Sequence, residues 1–199
     1  LVQAAVRDGV EHYVRSLRQK VSRRIGHEDA IAALKKLWLE DFLPATAEVR
    51  RSGIAQVPEQ DPDWGEIEAV LSDVLHEIDV RTINGTAGDV LDNEENRQKG
   101  LKVIAIGGHK LARGLTLEGL STSYFLRASR MYDTLMQMGR WFGFREGYDD
   151  LTRVYTTPEL ADWFRDLGLV EHKLRGDIQV FEEQSLTPLE VGMRIKTHP

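Results

Sequence analysis

Glycines and basic side chains combine at two places in this sequence in a way that suits phosphate binding. The first place is a glycine-rich basic loop, whose candidate ligands are Gly107, Gly108, Lys110, Arg113 and Gly114. The second place follows a segment with helical spacing and offers two arginines, Arg140 and Arg145. Glycine lets backbone amides approach an anion, and a guanidinium fork matches phosphate oxygens. Because an arginine beside a γ-phosphate stabilises charge in the transition state, Arg140 and Arg145 are the catalytic candidates.

The segment from Arg97 to Arg145 has a charge opposite to that of the chain as a whole. It holds nine basic residues and two acidic ones, Glu118 and Asp133, whereas the 199-residue chain has a net charge of −6. A basic zone in an acidic protein indicates a specific anionic partner. The plain alternative is that the glycines are turn residues and the arginines pair with surface acids. The order of both groups, with a strand and a helix between them, favours phosphate binding.

Strands and helices alternate around these residues. The predicted strands are 78–84, 101–106, 121–126, 151–156 and 190–196, and the predicted helices among them are 129–139 and 159–175. Such alternation predicts an α/β fold with a parallel sheet flanked by helices. Loops that follow the carboxyl ends of parallel strands form the ligand crevice, so we expect both basic groups at that edge.

The first third of the chain predicts helices over 2–20 and 27–42, a connection over 50–62, and a further helix to 74 with Asp63 as its N-cap. We therefore expect a helical segment and linker over 1–62 and an α/β lobe over 63–199. The basic residues of the first helices could contact nucleic acid, although such a run is more commonly a solvated helix face; they are Arg15, Arg18, Lys20, Arg23 and Arg24.

Composition excludes several classes of protein. The chain has no cysteine, so it forms no disulfide and no thiolate metal site, and its six histidines show no metal-ligand spacing. No apolar run approaches membrane-spanning length, so we expect no membrane partner. These features predict a cytoplasmic protein. The start at Leu1 without a signal-peptide pattern predicts a piece of something larger.

Two strings carry a family resemblance. Residues 112–116 (Ala-Arg-Gly-Leu-Thr) before a strand, and Gly139-Arg140 after a helix, resemble motifs V and VI of superfamily-two helicases. The longer strings over 107–120 and 133–143 resemble the bacterial Z-one domain, named as an endonuclease family and found within superfamily-two helicase-like proteins. The strong match covers roughly 79–164.

The resemblance implies a RecA-like second, C-terminal helicase lobe of P-loop NTPase type. It adds four residues to the candidate nucleotide-binding set, namely Thr116, Glu118, Gln137 and Gly139. Thr116 stands where motif V has an acid, and Arg145 comes five residues after Arg140 where the family has three. The chain has no Gly-x-x-x-x-Gly-Lys-Ser/Thr loop of its own. ATP and Mg²⁺ would therefore be bound only together with a first RecA-like lobe of the same polypeptide, and this lobe would be inert alone.

Three functions remain open. The resemblance implies a motor that acts on DNA in a restriction or defence system, to which this chain supplies motif V and an arginine finger. A second possibility is a non-catalytic interaction module that keeps a RecA-like shape. A third is a magnesium-dependent endonuclease, for which Asp166 with Glu171-His172-Lys173 is the one string of suitable form. That string falls in a predicted helix, where a solvated charged face is the stronger interpretation.

Overall fold

The computed structural model describes residues 2–55, 57–83, 100–108, 119–126 and 147–184. Over these residues the protein is mixed α/β and mostly helical, with two small parallel sheets. It divides into two compact units: the first comprises Leu1–Ser121 and Phe144–Thr152, and the second comprises Thr122–Gly143 and Arg153–Pro199.

Three helices open the chain. Helix α1 spans Val2–Arg23 and buries Val14. Helix α2, Glu28–Leu37, continues through one π-helical turn, Trp38–Phe42, into helix α3, Leu43–Ser52. The second predicted helix therefore runs ten residues further than expected.

The π-helical turn lies where Pro44 enters the helix. Proline has no N–H with which to continue the ladder of i→i−4 hydrogen bonds, and a π-helical turn is one way in which a helix absorbs such a break. The rings of Trp38 and Phe42 stack across this turn with centroids 6.1 Å apart. The helix then ends where Gly53 takes a left-handed conformation with φ 64°.

Helix α4, Trp64–Glu77, begins as predicted with a capping box. Asp63 Oδ1 accepts from the N–H of Glu66, and Glu66 Oε2 accepts from the N–H of Asp63, each at 2.9 Å. The helix extends three residues past its predicted end at 74, which brings the buried Leu75 into its last turn.

The first sheet consists of β1, Asp79–Ile83, and β2, Val103–Gly107, paired in parallel from Asp79 beside Val103 to Ile83 beside Gly107. Both strands were predicted, and both are confirmed. Helix α1 packs against both strands and against α4. Arg18 of α1 fixes this packing, because its Nε donates to the carbonyl of Leu75 at 2.9 Å and its Nη2 to the carbonyl of Ile78 at 3.0 Å.

The second unit contains β3, Thr122–Tyr124, and β4, Arg153–Tyr155, again in parallel. The N–H of Phe125 continues this pairing by donating to the carbonyl of Tyr155 at 2.8 Å. The ring of Phe125 lies 6.1 Å from that of Phe164 on the following helix. The predicted strands 121–126 and 151–156 are confirmed in position.

Helix α5, Pro158–Gln184, starts at proline as predicted but does not end before Gly176. Gly176 has no positive φ, and nothing lies within 4 Å of where its Cβ would be. A glycine inside a helix costs only about 1 kcal/mol relative to alanine, so it ends a helix only where the chain takes the left-handed turn. The predicted end at 175 is wrong for that reason.

Other predictions lie outside the described residues or remain predictions. The predicted helix 129–139 and the predicted strand 190–196 lie outside the described residues. The boundary between 62 and 63 stays a prediction, as does the joining of the strands into one RecA-like sheet. Within the described ranges, every helix is too short or too polar to cross a membrane.

Candidate functional site

The carboxyl ends of β1 and β2 form the sheet edge at which the sequence predicts phosphate binding. The two strands end side by side, because Ile83 pairs with Gly107, and Ile83 is only 2% exposed. Gly108 follows at once. The parallel pairing thus places Gly107 and Gly108 where the crevice of an α/β sheet is expected.

A side chain from the first helix also reaches this edge. A Cβ on residue 108 would lie 2.5 Å from Nε2 of Gln3, so the carboxamide of Gln3 lies directly over Gly108. Gln3 belongs to the first turn of α1, which contains no acidic residue. Gln3 therefore brings a side-chain N–H donor next to Gly108.

The remaining predicted site residues lie outside the described residues. The catalytic candidates Arg140 and Arg145 are in this group, and so are Lys110, Arg113, Gly114, Thr116, Glu118, Gln137 and Gly139. Their assignment stays a prediction. Gly107 and Gly108 are the part of the set whose surroundings the structure describes.

The opposite, amino-terminal end of the same strands is stabilised by ion pairs. Lys102 forms an ion pair with Glu77, and Arg81 Nε donates to Asp79 Oδ2 at 2.7 Å. The carbonyl of Lys102 accepts from the N–H of Asp79 at 2.9 Å. Lys102 belongs to the basic segment 97–145, but its charge is neutralised at the end of the strand away from Gly107. It therefore does not contribute to the candidate phosphate edge.

A buried carboxylate in the same unit was not predicted. Thr46 Oγ1 of α3 donates to Asp150 Oδ2 at 2.7 Å, and the two residues are 2% and 4% exposed. Asp150 belongs to a single 3₁₀ turn, Asp149–Leu151. The hydrogen bond ties that turn to α3. Because a hydrogen bond to a charged group inside a protein is stronger than one between neutral groups, we assign the pair a structural role.

Arg50, one turn further along α3, extends the polar contacts of this region. Its Nη2 donates to Asp61 Oδ1 at 2.8 Å and to the carbonyl of Pro58 at 2.7 Å, which ties down the connection between α3 and α4. The hydrogen bond to Asp61 raises the pKa of Arg50 above its usual range, and the charges of Asp61 and Asp150 act in the same direction. Arg50 therefore stays protonated throughout the physiological pH range.

The nuclease-like string lies on α5. Asp166 and Glu171 are five residues apart, which places them about 140° apart around a helix of 3.6 residues per turn. Glu171 Oε1 accepts from both Nε and Nη2 of Arg175, at 3.0 and 2.6 Å. Among the described residues, no three or more acidic or histidine side chains are grouped so as to hold a metal ion. Glu171, His172 and Lys173 are exposed, as the sequence favoured, whereas Asp166 is half-buried.

Sequence reasoning missed Gln3, Thr46 and Asp150. Gln3 lies far from the glycine loop along the chain, and no local pattern marks a helix that returns to cover a strand end. Thr46 and Asp150 are 104 residues apart. A lone threonine inside a helical stretch is a weak hint of a specific contact, since alanine or leucine has the higher helix propensity.

Comparison with known proteins identifies a family. The family model described as the Z1 domain matches residues 1–199. The search of curated proteins found no match, and neither did the search of solved structures.

Proposed function

This chain belongs to the Z1 domain family, and from its sheet edge and its basic segment we propose that it is the second RecA-like lobe of an ATP-driven nucleic-acid motor. The motor would act on DNA in a bacterial restriction or defence system. ATP would lie between this lobe and a first lobe that carries the P-loop.

The observation that supports the proposal is the edge formed by Ile83, Gly107 and Gly108. Two parallel strands end there together, the first turn of α1 brings Gln3 over Gly108, and the basic loop follows in sequence. A strand end followed by a glycine turn is where α/β proteins commonly bind phosphate.

The described groups at this edge suit phosphate better than a metal ion. The carboxamide of Gln3 and the backbone N–H groups around Gly108 are donors for phosphate oxygens. Mg²⁺ prefers carboxylate oxygens and water, so its ligands would come mainly from the first lobe and the nucleotide. Bound ATP would supply the phosphoryl group that is transferred to water. This lobe would hold the phosphates and keep bulk water, other than the attacking molecule, away from them.

Arg140 has the central part in the proposed chemistry. Its guanidinium would approach the γ-phosphate as the lobes close and stabilise the negative charge that develops on the equatorial oxygens. Arg145 would be a second cation near the same phosphates. Lys110 and Arg113, in the loop after β2, would bind the phosphates before transfer.

The test is ATP hydrolysis by the natural polypeptide that contains this chain, with Arg140→Ala. Loss of an arginine finger lowers kcat by roughly 10³-fold or more, so we expect nearly complete loss of turnover with little change in nucleotide binding. Arg175→Ala is the matched control, because Arg175 is an exposed arginine paired with Glu171. Equal turnover in both variants would remove the finger assignment and favour the non-catalytic interaction module.

A further inference from the structure

The charge of helix α1 changes along its length, from mixed to purely basic. Its first half carries Asp8 and Glu11, but between His12 and His27 the sequence has five basic residues and no acidic one. Three of these lie together at the end of the helix: Lys20 and Arg23 in the last turn, and Arg24 just after it. These three exposed residues are called the basic turn below.

The other arginines of α1 have partners. Arg7 pairs with Asp8 and Arg15 with Glu11, each at 2.8 Å. Arg18 donates to the backbone carbonyls at the end of α4. For the three cations of the basic turn, the described part of the chain offers no ion pair with a carboxylate. They form a surface of concentrated positive charge within an acidic protein.

The backbone of the basic turn has an unusual conformation. Arg24 has φ 52°, and among the described residues it alone adopts a positive φ without being glycine. The N–H of Arg24 donates to the carbonyl of Val21, and that of Ile25 to the carbonyl of Lys20, which is the hydrogen-bond pair of a Schellman motif. Glycine is the usual residue at this left-handed position because a Cβ is unfavourable there. An arginine occupies it here, at a cost in folding free energy.

Helix stability does not account for this choice. Basic residues near the C-terminal end of a helix interact favourably with the partial negative charge of the last carbonyls. This accounts for the presence of Lys20 and Arg23 in the last turn. Arg24 lies past the last helical residue, at a left-handed position that favours glycine. A strained residue that persists on the surface indicates a role for its side chain.

We propose that the basic turn binds the phosphate backbone of nucleic acid. The proposal rests on the proposed function only in taking nucleic acid as the partner, and it needs neither ATP nor the arginine finger. Three cations on a single turn suit a backbone that carries a regular row of phosphates, and such contacts bind without reading sequence. An anionic membrane is a poorer partner, because Ile25 is the sole apolar side chain between Arg23 and His27.

The decisive experiment compares Arg24→Gly with Arg24→Lys in the full chain. The probe is a labelled DNA duplex of about 20 base pairs, titrated without nucleotide at several salt concentrations from about 50 to 200 mM. We expect Arg24→Gly to raise Tm by about 2–4 °C, because it relieves the strained backbone. The same variant is expected to weaken DNA binding several-fold and to lower the slope of log K against log salt by about 0.9. Arg24→Lys is expected to retain both the binding and the slope.

A matched control separates specific contacts from net charge. Replacing Lys20, Arg23 and Arg24 with glutamine removes three positive charges, and so does replacing Arg7, Arg15 and Arg51, exposed arginines that each pair with a carboxylate. We expect the first triple variant to lower the salt slope by about three times the single effect and the second to leave it nearly unchanged. Equal losses in both variants would overturn the proposal, as would binding to phosphatidylserine vesicles with none to DNA.

The outcomes also distinguish this proposal from the proposed motor function. If the basic turn is needed for DNA binding while Arg140→Ala hydrolyses ATP normally, the surface stands and the motor assignment fails. If Arg140→Ala abolishes hydrolysis while both triple variants bind DNA like the parent chain, the motor assignment stands and the basic turn has no part in binding.

Discussion

The two longest described helices, α1 and α5, differ where α1 ends, because the cations there lack, among the described residues, the ion pairs that the arginines of α5 form. In α5, Arg165 pairs with Asp162 and Arg175 with Glu171, one turn earlier on the same helix. In α1, the cations of the last turn have no such acidic neighbour in the sequence. Helix α5 continues through Gly176, whereas α1 ends on Arg24 in the conformation that glycine favours.

This difference shows which charges serve the helix itself. Pairs spaced three or four residues apart on an exposed helix, as in α5, stabilise that helix modestly and keep it soluble. The cations at the end of α1 form no ion pair within the described ranges, and one of them has a strained backbone. Local stability therefore explains the charges of α5 but not Arg24 of the basic turn, and this contrast makes the basic turn a candidate surface for nucleic acid.

The largest expected effect comes from replacing Arg18, the arginine of α1 that donates to backbone carbonyls at the end of α4. Arg18→Ala removes both hydrogen bonds to the carbonyls of Leu75 and Ile78. Hydrogen bonds from charged donors to half-buried carbonyls are worth about 2 kcal/mol, so we expect a loss of about 2 kcal/mol in the free energy of unfolding. Urea denaturation followed by circular dichroism measures it. A loss below that of Arg175→Ala would show that α1 is held by its apolar face alone.

The next largest effect on stability is expected from replacing Gly176 in α5. Gly176→Ala fills open space on a helical backbone, so it is expected to stabilise the protein by about 0.5–1 kcal/mol. Gly53→Ala is the opposite control, because Gly53 has φ 64° and alanine there is strained. Thermal unfolding of both variants checks the pair. A fall in Tm with Gly176→Ala would contradict the helical continuation at that residue.

The smallest expected effect is the loss of an ion pair on α5. Arg175→Gln removes the contact with Glu171, in which both side chains are more than half exposed. Exposed i,i+4 pairs contribute about 0.3–0.5 kcal/mol, and salt screens them. We expect a change of that size in dilute buffer and none at about 1 M salt, where screening is nearly complete. A larger effect that persists in high salt would mean that Arg175 has a further partner.

Local chemistry made several elements predictable. Asp63 and Glu66 predict a helix start because the side chain of each can cap the backbone N–H of the other. Pro158 predicts one because the first residues of a helix do not need a backbone N–H. The strands around Val80 and Ile104 were predictable from short apolar, β-branched runs. The position of Gly107 and Gly108 at the carboxyl end of β2 followed from the same pattern.

Other features of the fold could not be predicted from the sequence, because they depend on backbone conformation or on contacts between distant segments. The end of α5 was misplaced because Gly176 looks the same in sequence whether or not the chain takes a left-handed turn. The π-helical turn before Pro44 let α2 and α3 run together, although proline usually ends a helix. The contact of Gln3 with Gly108 and the hydrogen bond between Thr46 and Asp150 each join segments more than a hundred residues apart.

The sequence by itself determined the kinds of element, the starts of α4 and α5, the parallel strands and the concentration of positive charge, because each of these depends on neighbouring residues. The tertiary structure alone decided that Gln3 of α1 lies beside Gly108. It also decided that Arg18 donates to backbone carbonyls while the basic turn stays exposed, and that an arginine adopts the left-handed conformation. Those outcomes depend on which distant groups meet when the chain packs, and no local pattern of residues contains that information.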